Sequence, residues 1–150
     1  MVEYLGAVSE RYEESCSSSM IIAPIFSRGA KIAERAPMVV CEYRDKLQQR
    51  IAALTEGEID EARLLTEVAI FADRAAIDEE LVRLKSHAEA IRETAALAEP
   101  VGRKLDFLVQ ELNREVNTIG SKASDTAIAQ AVVSAKGEIE KLREQVQNVE

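Results

Sequence analysis

The 150-residue sequence is poor in cysteine, proline, glycine and aromatic residues. Its two cysteines, Cys16 and Cys41, are too few for a disulfide framework and lack metal-ligand spacing, so they favour a reducing compartment. Three prolines and six glycines leave few breaks between long segments. With three Tyr, three Phe and no Trp, the sequence does not predict the base-stacking platform of a typical single-strand binder.

Basic charge and long apolar runs are also scarce. Lys and Arg number 19 against 27 Asp and Glu, a net charge of -8, which excludes a protein that grips nucleic acid over its whole surface but permits a local basic patch. The apolar stretch 20–26 is interrupted by Pro24 and far shorter than the roughly 20 residues of a membrane span. The acidic N-terminus is unlike an export signal, so we expect a cytoplasmic protein with no membrane partner.

The hydrophobic periodicity is helical throughout and predicts an all-α fold of antiparallel helical hairpins packed as a bundle. One helix is expected over 38–55, beginning after Pro37. A break is expected near 73–78, where Asp78 is a helix-start signal. Residues 1–36 are predicted to be a poorly defined N-terminal segment, because Pro24 should prevent a simple helix, and 37–150 a helical domain.

The last two predicted helices have the clearest apolar stripes. The first ends at Gly120, after which Ser124 or Asp125 can cap the second. The second, long helix has the spacing of a coiled coil or a left-handed bundle, although Gly137 inside it costs about 1 kcal/mol relative to Ala. Its seam is Ile128, Val132, Ala135, Ile139, Leu142, Val146 and Val149.

Polar side chains flank these stripes. Glu80, Arg83 and His87 fall together on one helix flank, and Glu111 and Glu115 form a carboxylate pair on the next helix. In an antiparallel hairpin the two flanks could meet in a cleft. The opposite face of the second helix is locally basic and suits contact with phosphates; it carries Arg103, Asp106, Gln110, Arg114 and Asn117, followed by Lys122.

The same residues also fit a simpler interpretation. Charged pairs at these spacings are ordinary on solvated helix faces, and a lone histidine is more often a surface or hydrogen-bonded residue than a ligand. The heptad spacing favours a core or an oligomer interface over a binding site. From spacing alone, the chain is a helical interaction module.

Longer motifs point to a family. The string EPVGRKLDFLVQELNREVNTIGSKASD, preceded by RLLTEVAIFADRAAIDEELVRLKSH and followed by KGEIEKLREQVQNVE, closely resembles the C-terminal domain of the YicC-like endoribonucleases over about 59–150. The segment PMVVCEYRDKLQQRI is similar to the helix that precedes that domain. The resemblance implies a bacterial, cytoplasmic, metal-dependent ribonuclease that forms homo-oligomers, expected to be hexamers. Because family members are longer, we expect this chain to lack their N-terminal domain.

The leading prediction is therefore a metal-dependent endoribonuclease that hydrolyses RNA phosphodiester bonds. One histidine per chain disfavours a two-imidazole mechanism, whereas clustered carboxylates with one imidazole suit Mn or Mg. The alternatives are a non-catalytic oligomerisation or RNA-binding adaptor module, and a structural oligomer built on the last helix.

The predicted site residues follow from this hypothesis. The catalytic set is Glu80, His87, Glu111 and Glu115, with Glu80 orienting His87. The metal ligands are His87, Glu111, Glu115 and Glu150. The RNA-binding residues are Arg83, Arg103, Arg114 and Lys122 for phosphates, and Gln110 and Asn117 for sugars or bases.

Overall fold

The computed structural model describes residues 18–55, 57–97 and 100–148, and every regular element within these ranges is a helix. The helices are α1 (Ser18–Leu54), α2 (Glu61–Ala75), α3 (Asp78–Ala95), α4 (Gly102–Lys122) and α5 (Thr126–Asn148). The predicted all-α fold is confirmed. Within the described ranges, none of the helices combines the length and the apolarity that a membrane crossing requires.

Helix α1 runs through both of its prolines, so the predictions for Pro24 and Pro37 are wrong. A proline inside a helix removes a backbone hydrogen bond and crowds the preceding turn, at a cost of about 3 kcal/mol. Burial of one apolar side chain contributes about 1.5–3 kcal/mol. Several such side chains of α1 enter the core and offset the cost: Ile22, Ile25, Ile32 and Val39. Residues 18–36 are therefore continuous with the helix predicted after them.

Helices α3 and α4 form an antiparallel hairpin. Glu80 near the start of α3 contacts Lys122 at the end of α4, and Arg83 contacts Glu115, so positions rise along α3 as they fall along α4. Helix α5 packs on α4 and on α1, and α1 also contacts α3. The hairpin is thereby held on one side of the long first helix.

The predicted stripes of α4 and α5 form the centre of the core. In and just before α4, the buried positions include Val101, Leu105, Leu108, Leu112, Val116 and Ile119. In α5 they are Ile128, Val132, Ala135, Ile139, Leu142 and Val146. The last predicted seam position, Val149, lies outside the described residues. Because the α5 seam is covered by helices of the same chain, the packing does not support an oligomer assembled through it.

The predicted break between α2 and α3 is confirmed, but its capping residue is different. Helix α2 ends at Ala75 and α3 begins at Asp78. Asp78 lies inside the first turn, and Ile77 occupies the N-cap position without a side-chain cap hydrogen bond. Acidic side chains in that first turn still complement the positive end of the helix dipole.

Helices α4 and α5 are joined by the short turn 123–125 and approach each other closely beside it. Helix α4 continues past Gly120 to Lys122, so the predicted stop at Gly120 is wrong. A Cβ atom at Gly120 would lie 3.0 Å from Cγ1 of Val132, which explains the glycine by packing. The predicted cap is confirmed: Oδ1 of Asp125 accepts a hydrogen bond from the backbone N–H of Ile128 at 3.0 Å.

An ion-pair network attaches this turn to α1. The Arg35 guanidinium donates to Glu42 at 2.6 and 2.8 Å, and to Oδ2 of Asp125 at 2.8 and 3.2 Å. Hydrogen bonding to Arg35 holds the pKa of Asp125 below its usual range, although partial burial acts in the opposite direction. The same guanidinium lowers the pKa of Glu42.

Gly137→Ala should stabilise the protein. Gly137 is exposed inside α5, and a Cβ there would meet nothing within 4 Å, so the substitution gains helix propensity of about 1 kcal/mol without a clash. Urea unfolding measures the change. Gly120→Ala is the comparison, since contact with Val132 should cancel its gain. Equal stabilisation by both substitutions would contradict the packing account of Gly120.

Asp125→Asn should make stability less dependent on pH. The variant keeps an acceptor for the Ile128 N–H but loses the charge that pairs with Arg35. Because folding lowers the pKa of Asp125, its charge stabilises the native state above the unfolded-state pKa, and this contribution is lost as the pH falls through the lowered value. In urea unfolding, wild type should be more stable at neutral pH, and the gap should narrow towards about pH 3. A difference in unfolding free energy that stays the same at every pH would refute the ion pair between Asp125 and Arg35.

Candidate metal centre and the adjoining groove

Three of the predicted metal ligands converge between α3 and α4. His87 lies on α3, Glu111 and Glu115 lie one turn apart on α4, and one potential ligand atom from each is within 4.8 Å of the other two. Antiparallel pairing brings these flanks to the same level. Glu115 is buried, whereas His87 and Glu111 are partly exposed, so the cluster is accessible from solvent.

The donor set of this cluster fits a divalent cation. Carboxylate oxygens are preferred ligands of Mg and Mn, and an imidazole nitrogen favours Mn between the two. Ligands about 2.1 Å from a cation lie at most about 4.2 Å apart, so the observed spacing requires only a small side-chain adjustment. Three protein ligands leave positions of an octahedron open for water and a substrate oxygen.

Arg83 holds the buried member of the cluster. Its Nε donates to Oε1 of Glu115 at 2.9 Å, while its two terminal nitrogens donate to Glu79 at 3.2 Å and Glu80 at 3.1 Å. These acceptors raise the pKa of Arg83, and the hydrogen bond that Arg83 donates to Glu115 contributes most. The contacts fix the carboxylate of Glu115 at the interface of α3 and α4.

Glu80 is the second buried carboxylate of the hairpin. Its Oε1 accepts from Arg83 and, at 3.0 Å, from Nζ of Lys122, which also donates to the carbonyl oxygen of Ala76 at 2.9 Å. Its Oε2 is buried without a hydrogen-bond partner among the described residues. Burial alone would raise the pKa of Glu80, but the hydrogen bond and charge of Lys122, with the charge of Arg83, lower it overall.

This network differs from the contacts expected for Glu80, Arg83 and Lys122. Within the described residues, Glu80 makes no hydrogen bond to His87, and its Oε1 is held by the two cations instead. The predicted roles of Arg83 and Lys122 towards RNA phosphates stay predictions, now with internal carboxylates as competing partners. Spacing placed Glu80 beside Arg83 on one flank, but it could not reveal Glu115 and Lys122 as further partners, because these two come from the other helix.

A polar groove of about 500 Å³ lies on the other side of α4, towards α5. Three of the predicted RNA-binding residues line it: Gln110, Arg114 and Asn117. The structure adds further lining residues, Val109, Asn113, Thr118 and, from α5, Arg143. Arg143 was not among the predicted residues, because the periodicity of α5 points only to its buried seam. Extending the antiparallel pairing from α4 to α5 would have indicated which exposed residues of α5 face this groove.

The two guanidinium groups of the groove are weakly engaged. Arg114 lies 4.0 Å from Oε2 of Glu111, and Arg143 lies 3.7 Å from Oε1 of Glu140. Neither guanidinium makes a hydrogen bond within the described part of the chain. Nε2 of Gln110 donates to Asp106 at 2.6 Å, so the amide oxygen of Gln110 is left as an acceptor. The groove therefore offers cationic donors together with amides.

Comparison with known proteins identifies the family of this fold. A family model described as "Endoribonuclease YicC-like, C-terminal" matches residues 32–150. The chain belongs to this YicC-like family. The match confirms the resemblance over 59–150 and extends it into α1, so all four later helices belong to the family domain.

Two curated relatives of this YicC-like chain carry the name "Probable endoribonuclease YicC". The protein of Clostridioides difficile (strain 630) is 51% identical over 122 residues, which are 80% of this chain and 42% of that protein. The protein of Haemophilus influenzae (strain ATCC 51907 / DSM 11121 / KW20 / Rd) is 38% identical over 120 residues, again 80% and 42%. The matched region therefore spans less than half the length of these relatives.

Arg103 and Glu150 complete the set of predicted site residues in the YicC-like chain. Arg103 is exposed in the first turn of α4 and does not line the groove. Its RNA-binding role stays a prediction. Glu150 lies outside the described residues, and its role as a metal ligand is likewise untested.

Arg83→Met should make stability more responsive to a divalent cation. The variant leaves Glu115 buried without its guanidinium partner and should melt at a lower Tm in EDTA. Mn bound at His87, Glu111 and Glu115 would neutralise that carboxylate, so MnCl2 should raise the Tm of the variant more than that of wild type. Arg92→Met, on an exposed face of α3, is the matched control. An equal rise in Tm with MnCl2 for wild type and both variants would argue against a cation beside Glu115.

Proposed function

We propose that this YicC-like chain carries the catalytic centre of a metal-dependent endoribonuclease. The observation that supports it most directly is the convergence of His87, Glu111 and Glu115 from two helices, in a domain whose curated relatives are named probable endoribonucleases. An imidazole and two carboxylates are a ligand set for Mn or Mg. Glu150 is a proposed fourth ligand.

The residues of the centre have distinct roles in this proposal. A bound divalent cation supplies Lewis-acid polarisation of the scissile phosphate. His87, Glu111 and Glu115 hold it, and Arg83 orients Glu115 through their 2.9 Å hydrogen bond. Glu80 acts indirectly by positioning Arg83. In hydrolysis, the oxygen of a water molecule bonds to phosphorus as one P–O bond to a ribose oxygen breaks, and the proton that the water loses balances the proton that the ribose oxygen takes up.

RNA is the proposed substrate, held mainly through its backbone. Exposed Arg103 and Arg114 would bind phosphates, while Gln110 and Asn117 would contact sugars or bases. Arg83 and Lys122 would contribute positive potential from within their ion pairs. Such binding should fall steeply with added salt.

A non-catalytic RNA-binding adaptor is the second candidate. It is favoured by the groove, whose lining holds the weakly engaged Arg114 and Arg143 together with amide side chains but no member of the candidate metal centre. An adaptor would bind RNA without turnover under any metal. Assembly as a homo-oligomer, with a hexamer expected from the family resemblance, is compatible with both candidates.

Glu111→Gln should strongly reduce cleavage while leaving the fold intact. The amide loses the negative charge that a cation needs at this position, and a loss of about 100-fold in kcat/KM is expected. Cleavage of a labelled RNA hairpin in MnCl2 measures it, and isothermal titration with MnCl2 measures binding of the metal independently. Glu67→Gln, an exposed residue of α2, should behave as wild type in both assays.

The outcomes of this experiment separate the two candidates. Cleavage that survives both EDTA and Glu111→Gln would refute the metal centre. Mn binding with RNA binding but no turnover would favour the adaptor. Circular dichroism of both variants verifies that the helical fold persists.

A further inference from the structure

The outer face of α4 carries an exposed aromatic side chain. Phe107 is 58% exposed, although it lies in the most regular part of the fold. It precedes Gln110 by three residues and Glu111 by four, so its side chain neighbours both on the helix surface. Phe107 thus lies beside the start of the polar groove on one flank and beside the candidate metal centre on the other.

One guanidinium group of the groove lies further along the same face, and the other comes from α5. Arg114 follows Phe107 by seven residues, about 10 Å along the helix axis. Arg143 reaches the groove from α5. Both are substantially exposed, at 75% and 49% of their side-chain areas, and their carboxylate neighbours are 3.7 Å or more away. Helix α4 and the adjoining groove therefore present the exposed ring of Phe107 together with two cationic side chains.

We propose that this face binds an unpaired segment of RNA, with a base stacked on Phe107 and backbone phosphates held by Arg114 and Arg143. The proposal rests on the proposed function and deepens it, because it assigns the class of substrate presented to the metal centre. Asn113 and Asn117 of the groove offer amides to base edges or ribose hydroxyls.

The requirement for an unpaired base follows from the aromatic ring. In a duplex both faces of a base are covered by its neighbours, whereas an unstacked base can lie on a side-chain ring. A duplex offers phosphates to the two arginines but leaves Phe107 exposed. Single-stranded RNA engages all three side chains, which is why it is favoured over a duplex or an acidic peptide.

Fluorescence anisotropy of a short labelled RNA without self-complementarity, in EDTA, tests the proposal without the metal centre. Phe107→Leu should weaken binding at least about fivefold, while Phe107→Tyr should bind as wild type. Arg143→Gln should weaken binding and reduce the slope of log K against log salt by about 0.7 per lost phosphate contact. Arg92→Gln removes the same charge from α3, outside the groove, and should change neither measurement.

Several results would overturn the proposal: no binding of the RNA by wild type, Phe107→Leu indistinguishable from wild type, Arg143→Gln indistinguishable from Arg92→Gln, or a duplex of the same sequence bound as tightly as the single strand. His87→Gln separates this proposal from the proposed function. It should bind RNA normally in EDTA and lose cleavage in MnCl2. If it retains cleavage, the metal centre fails while the RNA-binding face stands.

Discussion

Two buried carboxylates, Glu80 and Glu115, lie at the interface of α3 and α4. The ion pairs that neutralise them set the geometry of the hairpin. A buried carboxylate without a cation or several donors is strongly disfavoured. Arg83 reaches both groups from α3, and Lys122 closes the set from the end of α4. These contacts tolerate only one register of the two helices. In that register His87 faces the partly exposed carboxylate of Glu111, so the candidate centre follows from the ion pairs that hold the hairpin.

Four of the positive charges near the hairpin form two pairs with different consequences. Arg83 and Lys122 are engaged with carboxylates of their own chain, and they leave the space between α3 and α4 suited to a cation. Arg114 and Arg143 are loosely paired and face solvent on the α5 side. In a chain with a net charge of -8, these two arginines place exposed cationic donors beside the acidic cluster.

Periodicity predicted the bundle and much of the candidate site, because three- and four-residue steps determine which face of a helix each side chain occupies. The convergence of His87 with Glu111 needed only the further assumption of an antiparallel hairpin. Proline and glycine were less reliable signals of where a helix ends. Burial of the surrounding apolar residues outweighed the penalty of Pro24, and Gly120 is explained by the close packing of α4 against α5. The contribution of Arg143 depends on how α5 lies against α4, which no single helix encodes.

Helix α4 separates the candidate metal centre from the groove, and its side chains belong to both. Arg114 and Glu111 lie one turn apart, with guanidinium and carboxylate 4.0 Å from each other. On the proposed function, a cation that binds Glu111 weakens its attraction for Arg114, and a phosphate that binds Arg114 leaves Glu111 to the cation. Each ligand therefore favours the other, and linkage requires the effect to be reciprocal. Cation and RNA would then be recruited together, although each contacts a different side of the same helix.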